Sequence, residues 1–92
     1  MEDGEYYLTT VVGDAYRGGI KNGKYHGRGR YFFRETGDVY DGEWENGMRN
    51  GQGKETDKNG RVYDGEWEND MRSGHGKMTF KNGYVYEGEW KN

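Results

Sequence analysis

Aromatic and charged residues alternate with a period of two through much of this chain. Around the middle, Tyr63, Gly65 and Trp67 fall on one side of the alternation, and Asp64 and Glu66 fall on the other. Successive side chains of a β-strand point to opposite faces, so this period is typical of a strand. The pattern predicts strands with one aromatic face and one charged face.

A second alternating stretch follows the first. Here Gly74, Gly76 and Met78 share one side, and His75 and Lys77 share the other. Asn-Gly pairs mark the connections, because both residues tolerate the positive φ of tight hairpin turns. These pairs are Asn22-Gly23, Asn46-Gly47, Asn59-Gly60 and Asn82-Gly83. We therefore predict two strands per unit, joined as hairpins, with little or no helix.

The two-strand unit is repeated along the chain. Four tyrosines open similar strands at spacings of 24, 23 and 23 residues: Tyr16, Tyr40, Tyr63 and Tyr86. The predicted organisation is a partial N-terminal repeat (1–15), repeat 1 (16–39), repeat 2 (40–62), repeat 3 (63–85) and the first strand of a truncated repeat 4 (86–92). The predicted fold is all-β, with tandem hairpins forming one extended, twisted antiparallel sheet, a solenoid-like rod stabilised by contacts between neighbouring repeats.

Composition by itself gives a different expectation. Hydrophobic residues make up 29% of the 92 residues and charged residues 34%, a balance close to that of disordered chains. Aromatic residues make up 16%, however, and each ring buries a large area. The 18 glycines acquire a role in this context, because a neighbouring ring can lie flat across bare glycine backbone. We expect a shallow aromatic groove along the sheet.

The Tyr-x-Gly-x-Trp strands, Asn-Gly turns, Gly-x-Gly pairs and closing glycines together resemble the MORN repeat (membrane occupation and recognition nexus). The resemblance covers nearly the whole chain and implies an extended antiparallel sheet of hairpins. It implies a role as a cytoskeletal or ciliary scaffold, a homodimerising rod, a membrane-contact module or an appendage to a kinase or methyltransferase domain. Departures from the pattern are Gly19-Ile20 in place of Glu-Trp, Asp70 in place of a turn glycine, and the acids Glu55 and Asp57.

Catalysis is not expected, and neither is a cofactor or a metal. The Gly-x-Gly pairs lack the third glycine of a dinucleotide-binding loop, since position 56 is Thr56. His26 and His75 have no companion ligand at metal spacing, and we expect both to be exposed. With no cysteine and a pI near 5.4, the composition favours neither thiol chemistry nor nucleic-acid binding.

A column of acids lies on the face opposite the rings. Its members are Asp41, Glu43, Asp64, Glu66, Glu87 and Glu89. We interpret the column as structural, with ion pairs across the strands to Arg30, Lys54 and Lys77 worth about 0.2–1 kcal/mol each.

Charge is distributed unevenly between the first two segments. Residues 1–15 hold four acids and no base, whereas residues 16–39 hold six bases and two acids. The basic patch comprises Arg17, Lys21, Lys24, Arg28 and Arg30. It suits weak contact with anionic lipid or an acidic partner, or pairing with the acidic N-terminal segment, which is the interpretation we favour.

A protein partner is the better supported ligand. The predicted partner-binding groove comprises Tyr40, Trp44, Tyr63, Trp67, Tyr86 and Trp90, side chains of the kinds enriched at binding hot spots. An equally weighted alternative is that packing within the sheet consumes these rings. A second predicted surface is a row of loops containing Lys24-Tyr25, Met48-Arg49 and Met71-Arg72.

The terminal strands predict one further interaction. A strand with bare amide and carbonyl groups can pair with another chain, so we expect homodimerisation or continuation of the sheet at its edges, including the strand of Trp90. No apolar run is long enough for a signal peptide or a membrane-spanning helix, and we expect a cytoplasmic location. The leading hypothesis is a non-catalytic scaffold of a cytoskeletal or ciliary assembly. The alternatives are a membrane-apposed module and a regulatory region of a larger enzyme.

Overall fold

The computed structural model describes residues 1–91, and Asn92, the last residue assigned to the truncated repeat 4, lies outside them. Eight strands form one antiparallel sheet in chain order. They are β1 (Gly4–Thr9), β2 (Ala15–Lys21), β3 (Lys24–Phe32), β4 (Val39–Glu45), β5 (Met48–Thr56), β6 (Val62–Glu68), β7 (Met71–Thr79) and β8 (Val85–Trp90). The described residues contain no helix, so the predicted all-β array of hairpins is confirmed, and it extends over 43 × 25 × 18 Å.

The strands are joined by two kinds of connection. Two-residue turns follow β2, β4 and β6, and both of their residues have positive φ, as at Asn22 (53°) and Gly23 (75°). Asp70 takes the glycine position of the third such turn, at φ 71°. The interpretation of all four Asn-Gly pairs as tight hairpin turns is wrong for the other two. Residues 59–60 and 82–83 lie in longer connections, where only the glycine, such as Gly60 at φ 91°, is left-handed.

Glycines face each other across the middle of the sheet. Gly42 lies opposite Gly53, and Gly65 lies opposite Gly76, in a row that continues from β2 to β8. A Cβ atom added at Gly53 would overlap the ring of Tyr40. The prediction that rings lie across bare backbone is therefore confirmed, and a side chain at these positions would displace the tyrosine.

The core is a single layer of rings on one face of the sheet. Its buried members are Tyr16, Ile20, Tyr40, Trp44, Tyr63, Trp67 and Met78. Tyrosine and tryptophan rings alternate edge to face along the sheet: Tyr40 is 5.1 Å from Trp44 and 5.2 Å from Trp67, measured between centroids. Each tryptophan thus joins two repeats, which ties the stability of one hairpin to that of the next.

The buried polar atoms of these rings bond to the backbone. The hydroxyl of Tyr40 donates to the carbonyl of Glu43 at 2.8 Å, and Nε1 of Trp44 donates to the carbonyl of Gly29 at 3.0 Å. Tyr63 and Trp67 repeat the arrangement one unit later. These bonds satisfy groups whose burial would otherwise cost free energy.

The acids lie on the opposite face in the predicted register, but the predicted ion pairs are wrong. Asp41 lies between Arg30 and Lys54, yet its ion pair is with Arg28, at 3.8 Å. Glu43 instead accepts a hydrogen bond from the backbone N–H of Gln52, at 3.3 Å. The register shifts beside these residues, and the shift offers amide groups to which a carboxylate bonds instead of to a lysine.

Candidate functional site

Most of the predicted partner-binding groove is core. Tyr40, Trp44, Tyr63 and Trp67 are at most 5% exposed, so for these four rings the alternative interpretation, consumption by packing, describes the structure. The remaining members lie at the end of the sheet: Tyr86 is 48% exposed, and Trp90 is partly buried. Direct contact with a partner is therefore open to these two rings and closed to the other four.

Two arginines cover the buried rings. The guanidinium of Arg49 lies 4.6 Å from the centroid of Trp67, and that of Arg72 lies 5.0 Å from Tyr63 and 5.3 Å from Trp90. In repeat 1 the same position is held by Tyr25, which stacks on Tyr16. A flat cation thus replaces a flat ring, and cation–π attraction replaces ring stacking.

The prediction that these arginines belong to exposed loops is wrong. Met48-Arg49 and Met71-Arg72 begin strands β5 and β7, as Lys24-Tyr25 begins β3. Tight two-residue turns leave no loop at these points, and the alternation of the strand turns the arginines onto the rings. The methionines beside them are exposed.

Glu55 joins the two arginines. Its carboxylate accepts hydrogen bonds from Nη2 of Arg72 at 2.9 Å and from Nη1 of Arg49 at 3.4 Å, and its side chain is only 16% exposed. Asp70 accepts from the backbone N–H of Arg49 at 2.8 Å and from its Nε at 3.2 Å. We call these four residues the arginine cluster. The sequence marked Glu55 as a break in the pattern and placed both arginines in loops, but their pairing with Glu55 was missed, although all three share one phase of the alternation.

The two arginines differ in how much bonding capacity remains. Arg49 bonds to Glu55, to the carboxylate of Asp70 and to the backbone carbonyl of Asp70. Within residues 1–91 the side chain of Arg72 makes one hydrogen bond, to Glu55, and it is 35% exposed beside Met71, Trp90 and a cavity of about 410 Å³. Arg72 is therefore the member of the cluster that has donors to offer a partner.

Trp90 carries a second unused donor. Its Nε1 is buried without a hydrogen-bond partner among residues 1–91, whereas Trp67 donates to the carbonyl of Gly53 at 3.1 Å. We call Met71, Arg72, Tyr86 and Trp90 the end surface. It combines the exposed ring of Tyr86 with the partly exposed guanidinium of Arg72, the composition of a protein-binding hot spot.

The tyrosines of the core are not acid–base groups at neutral pH. Burial raises the pKa of Tyr16 to about 12, and it also raises the pKa values of Tyr40 and Tyr63. These hydroxyls therefore remain protonated and act as hydrogen-bond donors.

No cluster of three or more metal-ligating side chains occurs within residues 1–91. His75 is exposed, as predicted, and lies 3.3 Å from Glu87. His26, predicted to be exposed, is partly buried. Nor does any helix in the described part of the chain have the length and apolarity needed to cross a membrane.

All five residues of the basic patch are exposed on β2 and β3: Arg17, Lys21, Lys24, Arg28 and Arg30. The favoured interpretation is that these bases form ion pairs with the acidic N-terminal segment, and it is wrong. That segment does dock on repeat 1, through the β1–β2 ladder, but two of its acids accept hydrogen bonds from neutral groups. Asp3 accepts from the backbone N–H of Asn22, and Asp14 from the hydroxyl of Tyr31. Arg28 pairs with Asp41, and the other four bases of the patch have no ion-pair partner within residues 1–91, which leaves them for solvent or for a ligand.

The repeat found in the sequence is also recognised by a family model. The MORN repeat model matches residues 16–35, 40–60, 63–83 and 86–92. The chain belongs to the MORN repeat family. MORN repeats are non-enzymatic modules that generally mediate protein or membrane interactions. None of the curated protein sequences matches this chain.

Proposed function

We propose that this MORN array is a non-catalytic scaffold that binds a protein partner at its end surface. The observation that carries the proposal is the contrast between the buried rings of the inner repeats and the half-exposed Tyr86, which packs against Trp90, the ring that Arg72 covers. Exposed tyrosine, arginine and methionine form the kind of surface on which partners bury their hot spots.

The experiment is affinity capture from native cells with the intact protein and two matched variants. Tyr86→Ser removes an exposed ring on the end surface, and Glu87→Ser changes the adjacent residue of β8, which faces the other way. Circular dichroism first confirms that both variants fold. A partner should be lost with Tyr86→Ser and retained with Glu87→Ser; equal capture by both variants contradicts the proposal.

Within this class we favour a cytoskeletal or ciliary assembly, which is supported by the family resemblance alone. Imaging of the tagged full-length protein tests it, and a diffuse cytoplasmic distribution counts against it. The hypothesis of a regulatory region within a larger enzyme depends on the full reading frame. If this hypothesis holds, the full reading frame should encode a catalytic domain next to the repeats.

Lipid contact through the basic patch is the second candidate. It is supported by five exposed bases on two adjacent strands, and about 1 kcal/mol per surface cation gives weak, salt-sensitive binding. Sedimentation with anionic vesicles at low and high salt tests it. No binding at low salt excludes it.

Pairing through a sheet edge remains a prediction, and its two edges differ. β1 carries Tyr6 where β3, β5 and β7 carry Gly29, Gly53 and Gly76, so it offers no bare backbone to a neighbouring ring. We therefore expect pairing at β8 in preference to β1. Light scattering of the full-length protein over a range of concentrations tests it, and a strict monomer contradicts homodimerisation.

A further inference from the structure

The face opposite the rings carries a row of charges that crosses the sheet. From β2 to β8 it comprises Arg17, Arg30, Asp41, Lys54, Asp64, Lys77 and Glu87, each lying opposite the next in register. From Arg30 onward the signs alternate, so every charge has an opposite neighbour. Arg17 and Arg30 alone place two like charges directly opposite each other, which is destabilising in an antiparallel pair.

Repeat 1 departs from the other repeats at every position around this pair. On β2, Arg17 replaces the acid found on β4, β6 and β8, and Ala15 replaces the valine. On β3, Arg30 and Phe32 replace the lysine and threonine of β5 and β7. On β1, Tyr7 lies opposite Arg17, where the pattern has a base. Five departures therefore meet at one place on the sheet.

Neither guanidinium is neutralised by the protein. Within residues 1–91 neither Arg17 nor Arg30 has an ion-pair partner, because Asp41, the acid opposite Arg30, pairs with Arg28. Both side chains are exposed. The ring of Tyr7 lies 5.3 Å from the guanidinium carbon of Arg17. Two cations therefore lie side by side, and cation–π attraction to the ring of Tyr7 stabilises one of them, Arg17.

A hollow beside the arginines is larger than the equivalent hollow beside Val39, which has a volume of about 260 Å³. The cavity, of about 430 Å³, is lined by Tyr7, Ala15, Tyr16, Arg17, Arg30 and Phe32. Two of its walls are exposed rings, Tyr7 at 64% and Phe32 at 39%. A cationic floor between aromatic walls fits a ligand that carries both an anion and a ring.

We propose that this hollow, the Arg17–Arg30 site, binds an aryl phosphate, presented as a phosphotyrosine side chain of a protein partner. Two guanidiniums provide forked donors that match the oxygens of a phosphate dianion. Binding of the dianion also removes the repulsion between the arginines. The rings of Tyr7 and Phe32 contact the aryl group, which the side chain of phosphoserine lacks.

A phosphopeptide fits this face better than an anionic membrane does. On β4 to β8 the same face carries eight acids and only the bases Lys54 and Lys77. A flat bilayer meeting the whole sheet would encounter those acids, whereas a single phosphorylated side chain meets only the first three strands. The site lies on the face opposite the end surface, so its failure and that of the proposed scaffold function can be told apart.

Calorimetric and NMR titration with phenyl phosphate, inorganic phosphate and phenol tests the site on the full 92-residue chain. We expect phenyl phosphate to bind more tightly than either of the other two and to shift the amide signals of β1 to β3. A phosphotyrosyl peptide should compete with it. Binding of phenol as tight as that of phenyl phosphate contradicts a phosphate site.

Arg17→Asp is the decisive variant, because it restores the acid that the other repeats carry at this position. The fold should be retained and its stability unchanged or increased, while affinity for phenyl phosphate falls about tenfold or more. Lys77→Ala, a base of the same row on β7, is the matched control and should leave affinity unchanged. Unaltered binding by Arg17→Asp, or equal losses in both variants, overturns the proposal.

Phe32→Thr separates the ring from the anion, since threonine is the residue that β5 and β7 carry at this position. It should weaken phenyl phosphate binding and leave inorganic phosphate unaffected. Equal affinity of the unmodified protein for these two ligands would reduce the hollow to a simple anion site. Binding to phosphatidylserine vesicles without binding to phenyl phosphate would assign it to lipid. Either result refutes an aryl phosphate site.

Discussion

Repeats 1 and 2 cover their core rings in different ways. In repeat 1, Tyr25 and Tyr31 lie over Tyr16 in an aromatic cluster, with centroids of Tyr25 and Tyr31 5.8 Å apart. In repeat 2, Arg49 and Glu55 hold the same two positions and bond to each other. The backbone is the same in both, so the fold requires a flat group over the ring and accepts either a neutral or a charged one. The charged version places ion pairs beside the rings, where repeat 1 has only neutral aromatic contacts.

Among changes to the core rings and their covering groups, loss of a tryptophan that packs between two repeats should lower the free energy of unfolding most. Trp67 packs against both Tyr40 and Tyr63, so Trp67→Ala opens a cavity between two repeats. We expect a loss of about 3–5 kcal/mol in the free energy of unfolding, measured by urea denaturation. Tyr86→Ala, which removes an exposed ring, should cost much less. Near-unchanged unfolding of Trp67→Ala would remove this ring from the core.

Removal of Glu55 tests the charged version of the cover. Glu55→Ala leaves Arg49 and Arg72 without their shared acceptor and should cost about 1–2 kcal/mol, with a smaller cost at high salt. The double variant Arg49→Tyr, Glu55→Tyr installs the residues of repeat 1 and should be more stable than Glu55→Ala. Urea denaturation at two salt concentrations measures both. A double variant less stable than Glu55→Ala would show that the two covers are not interchangeable.

The sequence predicted the sheet because the strand period, the repeat spacing and the turn residues all indicate the same fold. Burial of the rings was foreseen only as one of two alternatives, since a Tyr-x-Gly-x-Trp strand looks the same whether its face is covered or open. The side chains that cover the rings, such as that of Arg49, lie on the next strand. The face of the sheet that Arg49 occupies is clear only once the turn before it is known to have two residues. The Arg17–Arg30 pairing was likewise hidden, because it depends on register across a hairpin.

Alkaline pH should separate the buried tyrosines from the exposed ones. Burial raises the pKa of Tyr16 to about 12, whereas a tyrosine in a model peptide ionises at about pH 10. The folded state favours the neutral form, so its stabilising contribution is fully present below the unfolded pKa and is lost as the pH rises through the folded pKa. We therefore expect tyrosinate absorbance to appear in two phases, with unfolding in the second. A single phase near the ordinary tyrosine pKa would contradict burial.

The smallest effect is expected at Asp70, where two contributions oppose each other. Asp70→Gly relieves a left-handed residue at φ 71° but removes the carboxylate that accepts from Arg49. Each contribution is on the order of 1 kcal/mol, so the net change in unfolding free energy should be below about 1 kcal/mol. Salt distinguishes them, because it screens the ion pair and leaves the backbone term unchanged. The variant should therefore gain stability relative to the unmodified protein as ionic strength rises, and a difference independent of salt would show that the Asp70–Arg49 ion pair contributes nothing.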